Sequence, residues 1–135
     1  MKVSVIVNPG LEKLAQQEIK ERLNVKAVIE GSVLTFELDK FDLLNKLQSV
    51  KRVILPFGEI VKEKVSFSEF DFKKHFKDEI KLVVEVENVK GQDNRVEIGK
   101  KVTKKLFPLL KNPQIDYKHP EKYVIVYDTG KRLVI

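Results

Sequence analysis

The chain has no cysteine and no tryptophan, and only 6 Gly and 5 Pro among 135 residues. Without cysteine there are no disulfides, thiolate metal sites or cysteine nucleophiles, and the composition suits a reducing, cytoplasmic setting. Sparse Gly and Pro beside 42% hydrophobic residues exclude a disordered or low-complexity chain. No apolar run reaches the roughly 18–20 residues of a membrane span, and the opening MKVSVIVNPGLEKL lacks a signal-peptide pattern. Histidine is scarce as well. His75 and His119 stand at no spacing with carboxylates that would make a mononuclear metal site. A P-loop, a dinucleotide fingerprint and a nucleophile elbow are all missing. This inventory predicts a protein that is not an enzyme and carries no cofactor.

What is present is charge, unevenly placed. Residues 1–87 hold 15 Lys+Arg against 15 Asp+Glu, whereas residues 88–135 hold 11 against 5. The net charge of +6 therefore lies wholly in the last 48 residues. Concentrated cationic charge attracts a polyanion and speeds its capture. Abundant Lys, Glu and Ile is also the usage of thermophiles, in which a lysine face can be merely solvated.

The first half reads as β-α-β-β-α-β. Residues 2–7 alternate as a strand. Asn8 suits an N-cap with Pro9 at the first helical position, and Leu11, Leu14, Ala15, Ile19 and Leu23 keep the 3.6 period. Strands at 26–30 and 33–38 flank Gly31-Ser32, a two-residue hairpin loop with Gly first. Asp39 caps a second helix through Leu47, with Phe41, Leu43 and Leu44 apolar, and a strand follows over 52–61, interrupted by Pro56 and Gly58. That order is a ferredoxin-like unit with both helices on one face of a four-stranded antiparallel sheet.

A second stretch begins near Ser66. Ser68 and Asp71 have capping-box spacing before a short helix carrying Phe70, His75 and Phe76. A strand at 80–87 places Ile80, Leu82, Val84 and Val86 on one face. A loop through Gly91 leads to a helix that Asn94 and Glu97 would cap and Pro108 would end. A short strand at 114–118 and two longer ones at 122–128 and 131–135 close the chain.

The helix over 95–107 carries the functional signal. At about 100° per residue, Ile98, Gly99, Val102 and Leu106 share one side, and Glu97, Lys100, Lys101, Lys104 and Lys105 the other. Like charges three or four apart repel by a few tenths of a kcal/mol, a cost that phosphates would relieve. Lys90 and Arg95 flank the loop that feeds the helix N-terminus, where amides favour phosphate. Lys118, Lys131 and Arg132 near the closing strands complete the expected RNA-binding set. Tyr117, Tyr123 and Tyr127 are stacking candidates for unpaired bases, though the alternation of the last two with Val124 and Val126 puts at least one of them in the core.

The segment Val5-Ile6-Val7-Asn8-Pro9-Gly10-Leu11-Glu12, the hairpin Gly31-Ser32-Val33-Leu34-Thr35-Phe36-Glu37 and the stretch Leu47-Gln48-Ser49-Val50-Lys51-Arg52-Val53 resemble the ferredoxin-like N-terminal unit of THUMP-containing tRNA guanosine methyltransferases. The Val84-Glu85-Val86 strand, the Lys90-Gly91 loop, the amphipathic helix and Lys111-Asn112-Pro113 look like the THUMP domain itself. The resemblance spans nearly the whole chain. After the loop glycine the family often has a histidine, an aromatic residue and a serine pair, where this chain has Gln92, Asp93, Asn94 and Arg95. The Asn/Asp-Pro-Pro-aromatic motif and glycine-rich loop of the related methyltransferases, and the nucleotide loop and catalytic cysteine of related thiouridine synthetases, have no counterpart here.

Taken together, these readings predict an α+β protein: a ferredoxin-like β-α-β-β-α-β unit over residues 1–65, packed with a small α/β THUMP domain over residues 66–135. The resemblance implies a non-catalytic tRNA-binding module that captures tRNA, at the acceptor-stem end, for a separate RNA-modifying enzyme. Two alternatives stay open: a detached part of a methyltransferase, and a ferredoxin-like protein-interaction domain that does not bind RNA.

Overall fold

The computed structural model describes residues 1–68 and 70–135, with Phe41 described by its backbone. Two sheets organise two compact units, Met1–Pro56 with Thr129–Lys131, and Phe57–Asp128 with Arg132–Ile135. The fold class is the expected one, a ferredoxin-like unit followed by an α/β unit.

In the first unit, strands β1 (Lys2–Ile6), β2 (Val28–Glu30), β3 (Val33–Glu37) and β4 (Arg52–Ile54) form an antiparallel sheet in the order β2-β3-β1-β4. Helix α1 (Glu12–Leu23) lays Ala15, Ile19 and Leu23 on Val3, Val5, Leu34 and Phe36, all buried. Leu14 instead is 59% exposed, so the apolar stripe is narrower than its spacing implied.

The helix does not start at Asn8. Gly10 takes φ +95°, off the helical path, and Leu11 N–H closes a turn on Asn8 O at 3.1 Å. The helix then begins at Glu12, whose carboxylate accepts from Gly10 N–H (2.9 Å) and Ser32 O–H (3.1 Å). The second helix is one 3₁₀ stretch, Phe41–Lys46, without a side-chain cap, because Asp39 sits too far ahead of it and Leu47 is already extended. The side chain of Phe41, one of the apolar positions of the expected helix, lies outside the described residues. Glu18 of α1 secures the next connection, accepting from Gln48 N–H (2.9 Å), Ser49 N–H (3.1 Å) and Ser49 O–H (2.8 Å).

The strand expected over 52–61 is two strands in different sheets. Pro56 has no N–H to give a ladder, so pairing with β1 stops at Ile54, and a new ladder, with the strand over Lys64–Phe67, starts at Gly58. The second sheet contains β5 (Gly58–Val61), β6 (Lys64–Phe67), β7 (Lys81–Glu87), β8 (Gln114–Ile115), β9 (Lys122–Asp128) and β10 (Leu133–Val134), in the order β6-β5-β10-β9-β7-β8. Lys62 and Glu63, both at positive φ, make the two-residue turn into β6, an element that pattern reading passed over. The last strand enters the middle of the sheet. Ile135 O accepts from Phe57 N–H (2.8 Å) and Gly58 N–H (3.2 Å).

Between β6 and β7 lies α2 (Phe72–His75), whose cap is Asp71 rather than Ser68, accepting from Lys74 N–H. Helix α3 (Gln92–Leu106) starts two residues before Asn94, from Gly91 at φ +90°. It ends as expected, with Pro108 in a 3₁₀ turn, Phe107–Leu109. Val102 and Leu106 are fully buried on Ile80, Leu82, Val124 and Val126, with Ile98, Val84 and Val86 packed at the margin. Phe57 anchors the far end, its ring 5.0–6.3 Å from those of Phe67, Phe70, Phe72 and Phe76.

Candidate nucleic-acid interface

The second unit carries an open groove of about 800 Å³ between α3 and the chain that follows β8. Its floor is the upper half of β7, residues 84–87. One wall is the α3 stripe of Arg95, Val96, Gly99, Lys100, Thr103 and Lys104, and the other is Ile115 with Tyr117. The groove exists because β8 is short. It pairs with Lys81 and Leu82 and then departs, while β7 runs on to Glu87.

Of the residues expected to bind RNA, the structure brings Arg95, Lys100 and Lys104 into this groove. Lys101 and Lys105 lie farther round the same helix, off the groove, with Lys105 exposed and Lys101 half-buried. Lys90 is exposed in the loop before α3, and Lys118 is exposed beside Tyr117. Lys131 and Arg132 lie between β9 and β10, and Arg132 pairs with Glu59. Among the described residues, Lys90, Lys100, Lys101, Lys104 and Lys105 make no ion pair.

Arg95 has two tasks. One of its amino groups donates to Val89 O (2.9 Å) and the other to Gln92 Oε1 (2.7 Å), so the guanidinium fastens the loop that opens the helix. Three of its five donors remain for a ligand. Tyr117 is 82% exposed on the opposite wall. Its loop is shaped by Asp116, whose carboxylate accepts from His119 N–H (3.0 Å) and Lys118 N–H (2.9 Å). Those two bonds, His119 first, hold the Asp116 carboxyl below its ordinary range against the opposing effect of burial. Tyr123 is 59% exposed and Tyr127 half-buried, so neither fills the core, which β9 supplies through Val124, Ile125 and Val126.

Pattern reading missed Val84, Val86, Gln92, Val96, Thr103 and Ile115 in this groove. Their spacing reads as ordinary core or helix surface, and only the early end of β8 exposes them. Glu85 and Glu87 also border it, leaving the floor less cationic than the helix wall.

No family model matches this chain, and no curated protein does. Several solved structures share its fold, two of them over nearly the whole chain. A 4-thiouridine synthetase, crystallised as an RNA complex with bound ATP, aligns over 99% of this chain and 40% of its own, at TM-score 0.62 and 15% identity. A predicted N6-adenine-specific DNA methylase from Listeria monocytogenes aligns over 98% and 38%, at TM-score 0.58 and 14% identity. The fold is THUMP-like. The chain spans about two fifths of each of these proteins. No helix among the described residues is long and apolar enough to cross a membrane.

Proposed function

We propose that this chain is a non-catalytic tRNA-binding module that captures tRNA at the acceptor-stem end for an RNA-modifying enzyme. One observation carries the reading: the unpaired Lys100 and Lys104 of α3 and the exposed Tyr117 stand on opposite walls of an open groove. Cations that track a backbone, combined with an aromatic platform for bases, make up the chemistry of single-stranded nucleic-acid binding. The shared fold with a synthetase crystallised on RNA supports the same reading.

No chemistry is assigned to the chain itself. The His75 ring stacks on Phe70 at 4.7 Å, a packing role, and exposed His119 gives its backbone N–H to Asp116. The test is anisotropy of fluorescent tRNA at roughly 50 and 200 mM salt, beside tRNA trimmed of its unpaired 3′ end and a DNA duplex. Preferential binding of intact tRNA with a steep salt slope supports the proposal. Equal weak binding to all three refutes it and returns the lysines to an ordinary solvated face.

A further inference from the structure

The floor of the groove has a chemistry that its side chains do not reveal. Along β7, alternate residues direct their main-chain groups to opposite sides. Odd positions face β9, as Glu121 N–H shows by donating to Lys81 O at 2.7 Å. Even positions face β8: Gln114 N–H donates to Ile80 O (2.9 Å) and Asp116 N–H to Leu82 O (3.0 Å). Beyond Asp116 the chain turns away, yet β7 continues. The N–H and C=O groups of Val84 and Val86 therefore open into the groove, and among the described residues no protein group pairs with them. An open strand edge of this kind is ordinarily covered or blunted. Here it lies between a cationic helix wall and an exposed tyrosine.

We propose that the main-chain edge of β7 at Val84 and Val86 reads the bases of an unpaired RNA strand held in the groove. The inference rests on the RNA-binding reading above and adds the means of recognition. Donor and acceptor alternate along the edge at Val84 and Val86, and the Watson–Crick edge of an unpaired base likewise presents donor and acceptor side by side. In a duplex those base edges are already used, so the β7 edge discriminates strand state through main-chain groups that every substitution except proline leaves in place. Lys100 and Lys104 hold the backbone from one wall, and Tyr117 stacks from the other.

The experiment is residue-resolved amide hydrogen exchange on the ¹⁵N-labelled chain, alone, with a short single-stranded RNA, and with the same strand in a blunt duplex. In the free protein, Val84 and Val86 exchange fast while Glu85, bonded toward β9, is protected. Single-stranded RNA slows Val84 and Val86 at least ten-fold and leaves Glu85 unchanged, and the duplex does neither. Tyr117→Ala, at a position too exposed to disturb folding, weakens the single strand roughly ten-fold without changing the salt slope. If RNA binds with a steep salt slope but Val84 and Val86 exchange as before, or if duplex protects them equally, the edge readout is wrong and RNA binding stands. If no RNA binds, both fall.

Discussion

Replacing Lys100 and Lys104 with glutamine removes two cations from the groove wall and leaves Lys101 and Lys105 on the same helix. The opposite pair of substitutions, Lys101→Gln with Lys105→Gln, removes the same formal charge away from the groove. An exposed lysine–phosphate contact contributes about 0.5–1 kcal/mol, so the groove pair should lose about 1–2 kcal/mol, roughly a five- to thirty-fold drop in tRNA affinity at low salt. Two lost contacts to a single strand should also flatten the slope of log K against log salt by about 1.4. The off-groove pair should fall by less than three-fold, through long-range attraction that about 0.15 M salt largely screens. Anisotropy titrations of both variants over a salt series, with thermal midpoints as a folding control, separate these cases. Equal losses from the two pairs would refute the groove and leave a diffuse cationic face in its place.

The remaining predictions concern stability and the groove loop. Glu18→Ala removes the carboxylate that accepts from Gln48 and Ser49 and should cost about 1–3 kcal/mol in chemical denaturation. Burial raises the Glu18 carboxyl, but hydrogen bonds from Ser49 and Gln48 outweigh it and hold the group below its ordinary range. Its contribution is therefore full above the unfolded value, about pH 4.3, and is lost as pH falls through the lower folded value. Glu18→Gln should accordingly flatten the acid limb of the stability curve. Leu106→Ala, at a fully buried site on the second sheet, should cost about 2–5 kcal/mol and lower the thermal midpoint. Asp116→Ala, which removes the acceptor of both bonds, should loosen the turn that carries Tyr117 and weaken RNA binding while leaving the thermal midpoint nearly unchanged.

Much of the fold was legible because local pattern and tertiary need agree. The 3.6 spacing of Ile98, Val102 and Leu106 predicts the buried face of α3, Pro108 its end, and the alternation over 122–128 the bounds of β9. The misreadings have physical causes. Asn8-Pro9 looks like a helix start, yet the positive φ of Gly10 delays the helix to Glu12. Residues 52–61 look like one strand, but Pro56 divides them between two ladders. For the candidate site, the sequence pattern found the cationic helix but grouped all four lysines together. Which of them line a groove depends on where β8 stops pairing with β7, a long-range register that no local period encodes.

The central position of β10 bears on how the second unit folds. Strands β5 and β9 lie more than sixty residues apart in the chain and meet only through Leu133 and Val134. Until those residues are in place, the β6-β5 hairpin and the β9-β7-β8 ladder are separate pieces with bare edges. During N-to-C synthesis the sheet therefore closes only after residues 133–135 have left the ribosome. The nascent chain spends that interval with strand edges open to its neighbours, so chaperone dependence and aggregation should track the last strand far more than the lysine-rich helix.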